Sequence, residues 1–305
     1  MRIGLVGCGA WGRFILRDLR ELDCAVTVVD PLAEARDAAN ECGADTAGSI
    51  GELPKVDGIV VASPTVSHAA VVTEAFARAV PVFCEKPLTN DPESAGRLAA
   101  IGRGRLFVMD KWRYHNGVLK LADIARSGRV GKILGLKTRR LGWATHHVDV
   151  DAAWILLPHE LSIALEILGE IPYISCAVAE IAGGRLHGLT TIGQGQCWHV
   201  SEIGDRSAVT QRRIELHGSE GTAVLEDSYS DAIVVCGNPM HSKSPPPPSI
   251  ERISITTNMP LLTELRVFVE HLRGGPPPKS SATEGAAIVA AIAHARRLAG
   301  VDDKR

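Results

Sequence analysis

The chain has 305 residues, 45% of them hydrophobic, and its 33 Lys and Arg against 35 Asp and Glu give a formal charge of −2. This length is enough for two domains, and the near-neutral charge excludes the strongly basic surface of a nucleic-acid binder. The seven cysteines are dispersed without a Cys-x-x-Cys pair, which excludes a zinc knuckle or redox dithiol and favours reduced thiols. Without a leader-like start or a membrane-length apolar run, a soluble cytoplasmic protein is expected.

The first predicted elements are a short apolar strand at residues 1–6 and a helix at 14–22, joined by a glycine-rich turn. Gly7 allows the chain to turn sharply out of the strand, and Gly9 lets the backbone approach a pyrophosphate. Gly12 lets the helix pack closely on the strand, and the helix N-terminus binds the phosphates. The pattern therefore predicts a dinucleotide site, with contacts from Gly7, Gly9, Ala10, Trp11 and Gly12.

Asp30 ends a second apolar run at residues 24–29, about 20 residues after the glycines, where an acid binds the adenosine ribose hydroxyls. A carboxylate at this position repels a 2′-phosphate. The sequence therefore favours NAD over NADP, although Arg36 lies near enough along the chain to reach a phosphate.

Strand and helix signals continue to alternate up to about residue 110, as a doubly wound parallel sheet requires. The predicted strands are 57–62, 80–84 and 105–109. Ser67 is predicted to cap a helix that runs to residue 79, and Asp91 to cap one that begins at Pro92 and ends near residue 103. We therefore expect a nucleotide-binding Rossmann domain at 1–112.

Beyond residue 112 the pattern changes to strands with few helices, which predicts an α+β domain at 113–305 with a mostly antiparallel open sheet. Helices are predicted at 118–126, 159–168 and 283–299, and a proline-rich exposed loop at 242–249. The predicted strands are 132–143, 173–181, 186–192, 196–203, 212–217, 222–226 and 232–236, with a hairpin turn at 218–221.

Several motifs make the chain resemble the family of glucose-fructose oxidoreductase, inositol dehydrogenase and MocA. The most specific is Glu85-Lys86-Pro87 at the end of a predicted strand. The others are Pro64-Thr65-x-x-His68, Arg113-Tyr114-His115-Asn116, Gly128-x-x-Gly131 and the hairpin at 218–227. The resemblance runs through nearly the whole chain and implies an NAD-dependent dehydrogenase.

The same resemblance implies which residues hold the ligands. Lys86, at the lip of the parallel sheet, would lie between the nicotinamide and the substrate and position the reacting hydroxyl. A partly dehydrated lysine has a lowered pKa and can share in proton movement. We further expect cofactor contacts from Ser63, Pro64, Thr65, His68 and Glu85. Substrate contacts are expected from Arg113, Tyr114 and His159, and from Asp151 in the loop before His159.

His159 stands where the family places a catalytic histidine. The pattern predicts that it opens the helix at 159–168, whose N-terminus would keep the imidazole neutral as a base. His159-Glu160 is no zinc motif, because residue 163 is Ile, and no metal site is predicted. The family has an aspartate four residues before the histidine, but this chain has Ile155. The alternatives for proton transfer are Asp149, Asp151, His146, His147 and Tyr114.

The leading hypothesis is an NAD-dependent oxidoreductase acting on a secondary alcohol or ketone of a sugar, nucleotide-linked sugar or cyclitol. A non-catalytic NAD-binding sensor is the second hypothesis, motivated by Ile155. Redox-assisted glycoside hydrolysis with regenerated NAD is the third. The resemblance also implies a homodimer or homotetramer, since an open sheet commonly buries a face against a partner.

Overall fold

The structure is a computed structural model that describes residues 1–143, 149–237 and 249–301 and divides into two compact units. The first unit comprises Met1–Lys111 and Met259–Ala290, and the second comprises the described residues of Trp112–Asn258 and Ala291–Arg305. A single boundary at 112/113, as predicted from the sequence, places residues 259–290 in the second domain. In the structure this segment packs with the first unit instead.

The first unit contains a six-stranded parallel sheet in the order β3-β2-β1-β4-β5-β6. Its strands are almost wholly apolar, because both faces of a parallel sheet are covered. They are β1 (Arg2–Val6), β2 (Ala25–Val29), β3 (Asp45–Ala47), β4 (Gly58–Val61), β5 (Val82–Glu85) and β6 (Leu106–Met109). The predicted doubly wound fold is confirmed, and it places the ends of β1, β4 and β5 at one edge of the sheet.

Eight α-helices occur in the described residues. They are α1 (Ala10–Glu21), α2 (Ala33–Glu41), α3 (His68–Phe76), α4 (Pro92–Ile101), α5 (Asn116–Ser127), α6 (Ala152–Leu168), α7 (Pro260–Leu272) and α8 (Ala282–Leu298). The predicted cap of α4 is confirmed, since the Asp91 carboxylate accepts from the Ser94 N–H at 2.7 Å. Among the described helices, none is both long enough and apolar enough to cross a membrane.

Helix α7 explains why the chain returns to the first unit. Leu265, Phe268 and Val269 are buried in the same apolar cluster as the strands of the parallel sheet. The ring of Phe268 stacks on that of Phe83 in β5, with centroids 4.9 Å apart. Burial of an aromatic side chain of this kind stabilises the fold by about 1.5–3 kcal/mol, so the segment is part of the core.

The second unit contains an eight-stranded sheet in the order β14-β13-β12-β11-β7-β10-β9-β8. Its strands are β7 (Ile133–Trp143), β8 (Tyr173–Ala182), β9 (Arg185–Gln194), β10 (Trp198–Gly204), β11 (Arg206–Gly218), β12 (Gly221–Leu225), β13 (Ala232–Gly237) and β14 (Ile250–Ser254). All neighbours are antiparallel except β7 and β10, which confirms the predicted mostly antiparallel sheet. Helices α5 and α6 pack on one face of it.

The start of α6 differs from the prediction. The sequence pattern predicts that the helix begins at His159, but it begins at Ala152, with Asp151 as the N-cap accepting from the Ala153 N–H at 3.0 Å. Pro158 therefore lies inside the helix. His159 is two turns from the N-terminus, so the predicted effect of that terminus on its imidazole is wrong, because such effects fade within the first turn.

Under α6 the sheet buries a histidine that has no hydrogen-bond partner among the described residues. His199 of β10 is fully buried, and burial lowers its pKa to about 4. The unfolded chain, with an ordinary histidine pKa near about 6.5, binds the proton first as the pH falls. The free energy of unfolding therefore carries no penalty from His199 above about pH 6.5, and it declines as the pH falls towards 4.

Replacing His199 by phenylalanine should remove this acid sensitivity. Between pH 7 and pH 4 the parent protein should lose about 3 kcal/mol of unfolding free energy more than His199→Phe. Urea unfolding followed by circular dichroism at both pH values measures the difference. Equal losses in the two proteins would show that another group causes the acid sensitivity.

Three predicted features fall outside the described residues. His146 and His147 are two of them, and the proline-rich loop predicted at 242–249, apart from Ser249, is the third.

Candidate functional site

The glycine turn after β1 has the geometry that a dinucleotide site needs. Gly7 has a φ of +94°, and a Cβ there would lie 2.6 Å from the Ser63 nitrogen. A Cβ on Gly12 would lie 2.3 Å from the Gly7 carbonyl oxygen, so α1 can approach β1 only with glycine at this position. A Cβ on Gly9 would meet no atom within 4 Å, which leaves open space at the N-terminus of α1. The residues present therefore fit a bound pyrophosphate.

Asp30 follows β2 and is buried, with both carboxylate oxygens directed to the backbone. One oxygen accepts from the Cys8 N–H of the glycine turn at 2.9 Å, and the other accepts from the Leu32 N–H at 3.0 Å. Arg36 donates to the carbonyl oxygens of Asp30 and Pro31 at 2.8 and 2.9 Å. The acid is thus held rigidly beside the turn, with a guanidinium next to it.

Replacing Asp30 by serine should weaken NAD binding about 10- to 100-fold, because a charged hydrogen-bond acceptor is worth about 1.5–3 kcal/mol. The preference for NAD over NADP should narrow as well, since the carboxylate no longer repels a 2′-phosphate and Arg36 lies beside it. Fluorescence titration with NAD and with NADP measures both affinities and hence the preference between the two cofactors. The exposed Asp37 of α2 gives the control variant Asp37→Ser, which should leave both affinities unchanged. A full NAD preference in Asp30→Ser would contradict the role of the acid.

Lys86 lies in the turn directly after β5 and is half-buried. The side chain of Glu85 fixes this turn, because one oxygen accepts from the Lys86 backbone N–H at 3.1 Å. The other oxygen accepts from the indole N–H of Trp11 at 2.5 Å. The predicted lysine and the predicted glycine turn are therefore linked through one buried carboxylate.

His68 links the same turn to the loop after β4. It is fully buried, and its Nδ1 and Nε2 atoms lie 2.9 Å from the carbonyl oxygens of Pro87 and Ser63, respectively. Burial lowers its pKa, although both carbonyls favour the charged form. Ser67 does not cap α3 as predicted, because its hydroxyl donates to the Pro64 carbonyl and contacts Ser63. Of the other predicted contacts, Thr65 is buried in this loop.

The predicted substrate residues of the second unit are Arg113, Tyr114, Asp151 and His159. Arg113 is mostly buried and donates through Nε to Glu166 of α6 at 3.1 Å. Tyr114 is 5% exposed, and its backbone carbonyl accepts from Asn258 at 2.8 Å. These two residues are thus held firmly within the second unit.

Asp151 cannot replace the missing aspartate. One of its carboxylate oxygens caps α6 and the other forms an ion pair with Arg296. It precedes His159 by eight helical positions, which is about 12 Å along a helix rising about 1.5 Å per residue. Ile155 occupies the position one turn before His159, so a hydrophobic side chain stands where a carboxylate would orient the ring.

Comparison with known proteins identifies the relatives of this chain. Residues 1–105 match the model of the oxidoreductase family with the NAD-binding Rossmann fold that is named for GFO, IDH and MocA. An inositol 2-dehydrogenase from Burkholderia lata is 32% identical over 194 residues, which cover 58% of this chain and 57% of that relative. The chain thus spans little more than half the length of this relative. An inositol 2-dehydrogenase from Burkholderia vietnamiensis is 29% identical over 99% of this chain and 96% of its own.

The chain is thus similar to the Gfo/Idh/MocA family, as its motifs predict. A solved structure, UDP-N-acetylglucosamine 3-dehydrogenase from Acidithiobacillus ferrooxidans, superposes with a TM-score of 0.84, covers 98% of this chain and 97% of its own, and is 22% identical. This likeness confirms the fold. The predicted NAD cofactor is also confirmed, since the matched residues 1–105 carry the NAD-binding Rossmann fold of the family.

Sequence reasoning missed three charged residues near Glu85. They are Asp110 and Lys111, which follow β6, and Glu264 of α7. The Lys111 amine lies 4.2 Å from the centre of the Trp11 ring, and Glu264 is fully buried. A signal for Glu264 was present, because it lies three residues after Leu261 and four before Phe268, on the apolar face of a helix.

Proposed function

We propose that this protein is an NAD-dependent oxidoreductase that transfers a hydride between the nicotinamide and a secondary alcohol or ketone of a sugar, nucleotide-linked sugar or cyclitol. The observation that carries the proposal is the Glu85 carboxylate, which holds both the Lys86 turn and Trp11 of the glycine turn. It puts a half-buried lysine at the edge of the sheet where ligands bind in this fold. The relatives named inositol 2-dehydrogenase and UDP-N-acetylglucosamine 3-dehydrogenase support the substrate class.

Each residue has a distinct part in this reaction. The glycine turn and the N-terminus of α1 bind the pyrophosphate, and Asp30 binds the ribose. The bound NAD supplies the hydride acceptor. Lys86 donates a hydrogen bond to the substrate oxygen and so orients the carbon that loses hydride, and His159 accepts the hydroxyl proton. In the reverse direction His159 returns that proton to the ketone oxygen.

A second candidate function is cofactor or ligand sensing without turnover. Ile155 favours it, because a hydrophobic residue stands at the position where the family pattern has an aspartate, and the carboxylate of Asp151 is engaged by a helix cap and Arg296. A sensor binds NAD and its ligand but never changes the oxidation state of the nicotinamide. The two functions therefore differ in whether substrate changes the oxidation state of the nicotinamide.

The deciding experiment follows nicotinamide absorbance in purified protein with NAD and a panel of cyclitols, free sugars and nucleotide-linked sugars. Steady formation of NADH with a member of the panel supports the oxidoreductase and names its substrate class. Binding of a panel member, seen by calorimetry, together with an unchanged nicotinamide supports the sensor.

We also propose that the protein is a homodimer or homotetramer of the cytoplasm. The face of the second sheet opposite α6 carries a row of apolar cross-strand partners: Cys176 is paired with Ile192, and Ile192 with Val200. Ile192 is 43% exposed, and exposed apolar surface of this kind favours association with a second copy. Sedimentation equilibrium measures the number of copies in the oligomer.

The proposed cytoplasmic location rests on the cysteines. All seven are free thiols, which suit a reducing compartment.

A further inference from the structure

Glu264 of α7 is a buried acid that the proposed reaction does not use. Its side chain is fully buried, and neither carboxyl oxygen has a hydrogen-bond partner among the described residues. An ionised carboxylate in such a place loses its hydration without compensation, so the proton is retained instead. Burial, together with the charges of Glu85 and Asp110, raises the pKa of Glu264 well above its usual range.

The packing of α7 places this acid at the ligand-binding edge of the sheet. Phe268 stacks on Phe83 of β5, and Glu264 lies one helical turn before Phe268. Glu85 lies two residues after Phe83 at the end of β5, on the same face of the strand. Both acids thus lie towards the carboxyl end of β5, where the glycine turn and Lys86 are also held.

Glu85, Asp110 and Glu264 form a group that we call the edge carboxylates. Asp110 is 1% exposed and follows β6, the neighbour of β5 in the sheet. Within the described residues no group of three or more acids, histidines or cysteines has the arrangement of a metal site. A proton bound to one of the three carboxylates lowers the electrostatic repulsion among them.

Other charged groups surround the edge carboxylates. Lys111 follows Asp110 and lies over Trp11, and Lys86 follows Glu85. His68 interacts with the charges of Glu85 and Lys86, and Cys84 with that of Glu85. From α1, which packs on α7, Asp18 is buried and paired with Arg17. The charge of Lys111 also acts on Glu264, but the burial of Glu264 is the larger effect, so Glu264 is the acid that carries the proton.

We propose that the edge carboxylates hold one proton on Glu264 in the apoprotein and release it to solvent when the oxidised cofactor, whose nicotinamide ring is a cation, binds at this edge. No covalent bond forms or breaks apart from the O–H bond of the carboxyl group. The reduced cofactor has a neutral ring and leaves the proton in place. A unit charge about 8 Å away, at an effective dielectric constant of about 20, changes the proton affinity of a carboxyl about 30-fold.

Two consequences follow for binding. NAD+ affinity should rise with pH, by at most about tenfold per pH unit, because deprotonation of Glu264 favours the cation. NADH affinity should stay nearly constant over the same range. The inference concerns the cofactor alone and does not depend on the identity of the substrate.

Calorimetry in two buffers with different heats of ionisation measures the protons released on binding. Across a series of pH values, the parent protein should release more protons on binding NAD+ than on binding NADH or ADP-ribose, which lacks the nicotinamide ring. Glu264→Gln should bind NAD+ without the extra release. Glu270→Gln, the same change at an exposed position of α7, is the matched control and should behave as the parent.

Equal release by the parent protein with NAD+ and NADH, or unchanged release in Glu264→Gln, would overturn the proposal. Failure of every cofactor to bind would instead contradict the cofactor assignment itself. Infrared spectroscopy of the unmodified protein provides a test that needs no variant. A band from a protonated carboxyl should weaken on addition of NAD+ and persist with NADH, and a band unchanged by NAD+ would refute the proton release.

Discussion

Gly12→Val should weaken NAD binding by about 1,000-fold, which corresponds to about 4 kcal/mol. A Cβ on Gly12 would lie 2.3 Å from the carbonyl oxygen of Gly7, a backbone atom that cannot rotate away. The branched side chain must therefore push α1 from β1 and distort the turn that holds the pyrophosphate. Calorimetric titration with NAD measures the loss, and far-ultraviolet circular dichroism checks that the variant is folded.

Gly96→Ala is the matched control for this prediction. Gly96 is an exposed glycine inside α4, and a Cβ there would meet no atom within 4 Å. Alanine should leave NAD binding unchanged and stabilise the protein by about 0.5–1 kcal/mol through its better helix propensity. A folded Gly12→Val that binds NAD within tenfold of the parent would show that the pyrophosphate is not held at this turn.

Lys86→Met should lower kcat by about 1,000-fold while NAD binding changes only a few-fold. Methionine keeps an unbranched apolar side chain, one heavy atom shorter than that of lysine, but cannot donate a hydrogen bond to the substrate oxygen. A positioned acid or base contributes about 100- to 10,000-fold. Glu85 should stay in place, since it binds the backbone N–H of residue 86 and the indole of Trp11. Stopped-flow absorbance of the nicotinamide with a substrate from the panel measures the chemical step.

Lys55→Met removes an exposed lysine of the same unit and should leave turnover unchanged. Retention of more than about a tenth of the activity in Lys86→Met would remove this lysine from the chemistry. A protein in which both variants and the parent bind NAD without turnover would favour the sensor.

Local patterns predicted the nucleotide-binding half of the fold well. Short apolar strands, capping residues and glycines at fixed spacing all act over a few residues, and each indicates its element without tertiary context. Asp91 before Pro92 is an example, because the cap and the proline both favour the same helix start. The three glycines are another, since their steric requirement is visible in the sequence itself.

The prediction was less successful where tertiary packing determines the ends of a helix or the partner of a side chain. The sequence pattern predicted a helix start at His159, but the apolar packing of residues 152–158 and the Asp151 cap begin α6 at Ala152. The prediction also omitted α7, whose buried glutamate interrupts an otherwise apolar face. Asp151 was predicted as a substrate contact from its position near His159, and only the structure shows its carboxylate engaged by a helix cap and Arg296. The roles of Lys86 and His159 stay predictions.

The return of residues 259–290 to the first unit sets an order of events during synthesis. The ribosome completes all six strands of the parallel sheet by residue 109, yet Phe268 and Leu265, which cover the face around Phe83, are made only after the whole eight-stranded sheet. One apolar face of the nucleotide-binding unit therefore remains uncovered while the ribosome synthesises the second unit. A gene fragment that stops near residue 112 would leave that face uncovered permanently, so the nucleotide-binding half is not a transferable module.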